Sequence, residues 1–147
     1  MFDPRSDIKG LFTNNRVTGS DKYSQTAHVD IDLREDNPQG AIKREGIILM
    51  EAPRAICKDI TVGNGYKLDE VVFDAVLYVI RKHNIKDYTT FIDSIVDTFQ
   101  TTLKTNRHSV SSCDDAMVTN VISPGVPPKA QNMEFKRVIT VTCWKIS

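Results

Sequence analysis

The stretch KLDEVVFDAVLYVIRK, Lys67–Lys82, decides the fold. Two readings compete for it. Leu68, Val72, Ala75, Val76 and Val79 recur at helical spacing, yet Val71, Val72, Phe73, Val76, Tyr78, Val79 and Ile80 make this the part of the chain densest in β-branched and aromatic residues. The unbroken apolar run from Ala75 to Ile80 suits a strand covered on both faces better than a helix with one apolar stripe. We therefore read a central strand, around which the other elements have to be arranged.

Downstream, Phe91, Ile92, Ile95, Val96, Phe99 and Leu103 recur at intervals of three and four with Thr, Asp, Gln and Lys between them. This predicts an amphipathic helix, with Asp87 as its N-cap. A polar loop follows over 106–115, then a short strand over Ala116–Ile122. Ser123, Pro124, Gly125, Pro127 and Pro128 forbid regular structure, and Phe135–Ile146 closes the chain as an alternating strand. In that strand Val138, Thr140, Thr142, Trp144 and Ile146 share one face, and Ile139, Val141, Cys143 and Lys145 the other.

Upstream, Asp3 and Pro4 read as the N-cap and first residue of a short helix running to about Asn14, with Ile8, Leu11 and Phe12 on one face. The polar segment Val17–Thr26, which contains Gly19 and Ser20, reads as a loop. From Ala27 the period becomes two: His28, Asp30 and Asp32 alternate with Val29, Ile31 and Leu33, the pattern of a half-buried strand. Turn formers at Asp36–Gly40 and an extended segment over Ala41–Glu51 then predict a hairpin, and Ile56–Val62 a further strand between breakers. A small helix, about four strands, one main helix and two strands make an α+β domain, expected to span 1–147 as one unit. Its sheet should be mostly antiparallel, with the main amphipathic helix packed across one face.

Composition narrows the function. The chain has 147 residues, with 19 Lys plus Arg against 19 Asp plus Glu, so no global field draws it onto phosphate backbones. Its longest apolar run falls far short of the ~20 residues that cross a bilayer, and its first ten residues lack the apolar centre of a secretory signal. A soluble protein made in a cytoplasm is expected. Cys57, Cys113 and Cys143 form no CxxC pair, and their odd number and wide spacing argue against a disulfide framework or a zinc motif.

Residues able to carry chemistry are few. Asp30, Asp32, Glu35 and Asp36, with Lys43 and Glu45 beyond, are the one acidic set that suggests a divalent metal and a nuclease, but the strand period puts Asp30 and Asp32 on a solvated face. His28, His83 and His108 have no ligand at helical spacing. HSVSSCDD brings His108, Ser111, Ser112, Cys113 and Asp114 together in sequence without a nucleophile elbow. Gly63 and Gly65 lack the third glycine and the lysine of a phosphate loop. Arg81, Lys82, Lys86, Lys104 and Arg107 flank the main helix without interleaved aromatics, which leaves a modest basic face. No catalytic, cofactor-binding or metal-ligating residue is assigned.

In the stretches EAPRAICKDITVGNGYKLDEVVFDAVLYVIRK (51–82), DYTTFIDSIVDTFQTTL (87–103) and EFKRVITVTCWKI (134–146), and in the order of its elements, the chain from about residue 27 to its end resembles the tail-terminator or tail-completion proteins of tailed bacterial viruses. The resemblance implies a non-enzymatic virion protein that forms a ring, typically a homohexamer. Such a ring caps the tail tube, meets the head-closure or connector proteins and lets DNA pass through its lumen. It implies no cofactor and no membrane, and it assigns no individual residue. The tip at Asn37–Gly40 and the arm Ser123–Asn132 are available for neighbour contacts. Three other readings stand beside it. One is a different head-tail connector subunit, against which the main helix argues. The others are a magnesium-dependent nuclease built on Asp30, Asp32 and Glu35, and a monomeric interaction module of a host cell.

Overall fold

The computed structural model describes residues 1–38, 45–62, 65–80, 85–123 and 134–146; for 57–62, 134 and 135 it describes the backbone alone. The segment Lys67–Lys82 is a strand as expected. β5, Tyr66–Ile80, runs through the middle of a seven-stranded sheet. The other strands are β1 (Arg16–Ser20), β2 (Thr26–Leu33), β3 (Gly46–Met50), β4 (Arg54–Val62), β6 (Asp115–Ile122) and β7 (Glu134–Ile146). They lie in the order β1-β2-β3-β5-β7-β6, and β4 also pairs with β5. β5 is long enough to hold β4 along residues 66–72 and β3 along residues 75–79 of one edge, while β7 takes residues 68–80 of the other. All pairs are antiparallel except β2 with β3. With one main helix, α2 (Tyr88–Thr105), and a short N-terminal helix, α1 (Arg5–Lys9), the fold is α+β.

Helix α2 starts where the sequence places it, because Asp87 accepts hydrogen bonds from the Thr90 backbone N–H at 3.3 Å and the Thr90 hydroxyl at 2.6 Å. Its buried face is Tyr88, Phe91, Ile92, Ile95, Val96, Phe99 and Leu103. That face packs on β1 and β6, so the helix bridges the two ends of the sheet. Beneath it lie Val29 and Ile31 of β2, Ile48 and Met50 of β3, Phe73, Ala75, Leu77 and Val79 of β5, and Ile139, Val141 and Cys143 of β7. Fully burying each of these larger side chains contributes roughly 1.5–3 kcal/mol, which makes this layer the main source of stability.

Three expectations need correction. Val17–Thr26 is not a loop throughout, since Arg16–Ser20 forms β1 and pairs with residues 26–30 of β2. The connecting turn is tied by Asp21, whose carboxylate accepts the Tyr23 and Gln25 backbone N–H groups, each at 2.9 Å. A polar strand of this kind owes its existence to its neighbour's backbone rather than to propensity. β2 and β3 do not form a hairpin: Asp30 to Leu33 lie beside Ile47 to Met50 in parallel register. The clue was the run Ile47–Met50, which does not alternate and is buried on both faces, as a central strand demands. The opening helix ends at Lys9, and a single 3-10 turn at Thr13–Asn15 follows, with Asn14 and Asn15 at positive φ (56° and 54°). Asn tolerates that region, so the chain turns there into β1 instead of continuing as helix.

Candidate functional site

The acidic set does not converge. Asp30 pairs with Arg16 at 3.5 Å and Asp32 with Lys9 at 3.2 Å, both across neighbouring backbone on the face of β2 away from α2. Glu35 is held by Arg5 at 2.7 Å. Asp30, Asp32 and Glu35, the three carboxylates on which a metal site would be built, are each already balanced by a cation of this chain. Among the described residues no group of three or more His, Cys, Asp or Glu side chains is placed to hold a metal ion. Lys43 lies outside the described residues, and Glu45 is buried at the start of β3.

Arg5 is the most heavily engaged charge among the described residues. Its side chain is 6% exposed, donates to both Asp3 oxygens (3.0 and 2.9 Å), to Glu35 (2.7 Å) and to the Met50 carbonyl (3.1 Å), and so fastens α1 to the ends of β2 and β3. The guanidinium holds the Asp3 and Glu35 carboxyls below their ordinary values and is itself raised, chiefly by the hydrogen bond to Asp3. Carboxyls depressed in the folded state contribute stability above their unfolded values, near pH 4, and lose it as pH falls through the folded values. Arg5→Met should therefore cost about 1–3 kcal/mol at neutral pH and flatten the acid limb of the stability curve. Urea midpoints at pH 7 and pH 3 check this; an unchanged difference between the two would remove Arg5 from that role.

The two described histidines serve local structure. His28 shares a hydrogen bond of 2.8 Å with Thr18 across β1 and β2. His108 meets the Asp114 carbonyl at 3.1 Å and Asp115 at 3.9 Å, where Asp115 is already gripped by Arg107 at 2.5 and 2.8 Å. His83, Gly63, Arg81 and Lys82 lie outside the described residues, while Gly65 sits in a turn at φ 81°. Of HSVSSCDD, Asp114 caps the end of the sheet by accepting the Ile146 N–H at 2.6 Å. Cys113 is buried in the core with Cys143, and no described base stands beside it to make the catalytic nucleophile that the sequence invited.

Two of the open clefts that border α2 also touch the sheet. One, of about 420 Å³, lies between α2 and β6 and is lined by Asp97, Gln100, Lys104, Arg107, Met117 and Val118. The other, of about 390 Å³, lies by β1 and includes Arg16, His28, Thr98 and Thr102. Neither gathers a nucleophile with a base, nor a set of donors at one point.

The feature that sequence reasoning missed is a surface. Strand pairing puts Tyr66, Leu68, Val72 and Val76 of β5 on the face away from α2, with Val138, Thr142, Trp144 and Ile146 of β7, Met117 and Ile122 of β6, and Ile47 and Leu49 of β3. The middle of that face is buried, with Val72, Val76, Thr142, Ile47 and Leu49 at 8% exposure or less. Its margins are not: Met117 is 38%, Ile122 49%, Ile146 52% and Tyr66 56% exposed. The alternation of β7 already showed apolar residues on both faces, and this was the one signal in sequence. No helix among the described residues is long and apolar enough to cross a membrane. No family model matches the chain, and no curated protein matches it.

Proposed function

We propose that this chain is the subunit of a structural ring in the neck of a tailed viral particle, a terminator that caps the tail tube and joins it to the head-closure proteins. The ring is a homo-oligomer, taken as a hexamer, and it works by shape and contact, with no catalytic residue and no cofactor. One observation carries the reading: apolar side chains stand exposed along β5, β6 and β7 on the face that α2 leaves bare. A sheet apolar on both faces has two layers to bury, and one main helix covers only one of them. Exposed apolar residues gathered on one surface are what a subunit interface uses.

The strand at the end of the sheet adds to this. β6, DAMVTNVI, has no proline and no lysine, and its only charge, Asp115, is neutralised by Arg107. Its one irregularity is the register shift between Val118 and Asn120, and it has neither the proline nor the lysine that keeps an edge strand from pairing with another chain. Heterologous contact of such a surface with a different patch on the next copy closes a ring when the rotation permits. Of the loops expected to touch neighbours, Asn37 and Pro38 are described, whereas Gln39, Gly40 and residues 124–132 lie outside the described residues.

Light scattering over a concentration series, with negative-stain imaging, tests the proposal. Rings of about six copies, or a monomer that forms rings on added tail tubes, support it. A monomer or dimer inert toward tubes rejects it. The double variant Met117→Lys/Ile122→Lys should weaken assembly at least tenfold in midpoint concentration while leaving the circular-dichroism spectrum unchanged. Assembly at the wild-type midpoint would place the interface elsewhere.

A further inference from the structure

Cys113 and Cys143, far apart in sequence, are neighbours in the fold. Cys113 ends the loop before β6, and Cys143 lies in β7. The β6–β7 register sets Ala116 opposite Cys143, and the Asp114 N–H donates to the Trp144 carbonyl at 2.8 Å, which brings Cys113 back beside β7. Both side chains belong to the core under α2, Cys143 at 0% exposure and Cys113 at 8%, and neither is in a disulfide. The two side chains act on one another, Cys113 being shifted downward and Cys143 upward by the other's presence. Two thiols in one buried cluster, on adjoining segments held by a backbone hydrogen bond, are the starting point from which a disulfide can close.

We propose that Cys113 and Cys143 are a redox modification site, which a low-molecular-weight disulfide converts to an intramolecular disulfide closing residues 113–143 into a loop. Cys113 is the attacking group. It is the more exposed of the two, and the presence of Cys143 lowers its pKa and favours its thiolate, whereas Cys143 is shifted upward by Cys113 and by burial. The Cys113 thiolate attacks one sulfur of the oxidant, forming a mixed disulfide and expelling one small thiolate. Cys143 gives its proton to that thiolate and attacks the Cys113 sulfur, expelling the second, which takes its proton from solvent. The protein loses two hydrogens and two electrons, and the oxidant becomes two small thiols.

The closed loop contains β6, so the bond ties the exposed edge strand to β7. This goes beyond the ring reading and does not need it. Where that reading holds, the thiols stay reduced during assembly in a host cytoplasm and close once the particle reaches an oxidising medium.

The test uses the folded full-length chain carrying Cys57→Ser, equilibrated with oxidised glutathione and followed by intact mass, thiol titration and a tryptic map. The expected result is a loss of about 2 Da, disappearance of both thiols and one cross-linked peptide pair, all reversed by dithiothreitol. The melting temperature should rise by roughly 5–10 °C. Adding Cys113→Ser should leave Cys143 a free thiol and abolish the rise. Two persisting thiols, or a chain that stops as a glutathione adduct of Cys113, would overturn the proposal. Should the Cys57 variant misfold, the tryptic map of the oxidised wild-type chain decides between the same two outcomes. The readout is independent of oligomeric state, so its failure is distinct from failure of the ring.

Discussion

Gly46→Ala is expected to cost about 3 kcal/mol or more, read as a fall in the urea midpoint with an unchanged slope. Gly46 opens β3 and pairs with Val79 of β5. A Cβ at this position would run into the Tyr78 carbonyl oxygen, closer than real Cβ atoms come, and would also press on Val29 Cγ1 and Val79 Cγ2 at 3.2 Å. The valine methyls can shift by a few tenths of an ångström. The carbonyl cannot, because it belongs to the backbone of the central strand, whose other edge is bonded to β7 from Leu68 to Ile80. The added methyl must therefore pry β3 from β5. Among the described strands β3 alone joins β5 to the pair β1–β2, so the damage spreads through that part of the sheet. A loss below about 0.5 kcal/mol would mean that β3 is not seated as described.

Phe99→Ala should cost about 3–5 kcal/mol, the range for removing a fully buried aromatic side chain and leaving a cavity. Phe99 is 0% exposed in the middle of the apolar face of α2, and its ring stacks on Phe12 with centroids 5.3 Å apart and planes inclined by 14°. Phe12 comes from the turn between α1 and β1, so this contact fastens the N-terminal segment to the helix. A double-mutant cycle with Phe12→Ala should give a coupling of about 0.5–1.5 kcal/mol, the increment of an aromatic pair beyond its burial. Additivity of the two losses would show that the rings act separately. The helix itself should persist in the single variant, since Asp87 still caps it and Phe91, Ile92 and Ile95 still anchor it.

Local pattern alone was enough for the elements whose signal lies within a few residues. The spacing of Phe91 to Leu103 and the cap at Asp87 determined α2, because a helix bonds to itself over four residues and shows its buried face at that period. The alternation of Ile139, Val141 and Cys143 with Val138, Thr140 and Thr142 determined β7 and its two faces, and the fold decided which of them turns toward α2. The β-branched density of Lys67–Lys82 determined that β5 is a strand, and the segregation of helices from strands determined an α+β fold.

Partners were decided only by the tertiary structure. Period two tells which face a residue takes, but a strand's hydrogen bonds go to residues remote in sequence, so the run Ile47–Met50 marks a central strand without naming β2 as its parallel neighbour, and the pairing of polar Arg16–Ser20 left no local trace. The same holds for the candidate sites. Asp30, Asp32 and Glu35 looked like a metal set until Arg16, Lys9 and Arg5 were brought beside them. Cys113 and Cys143 looked like isolated thiols until β6 was laid against β7. Charge balance and thiol contact depend on distance in space, and a chain records only distance along itself.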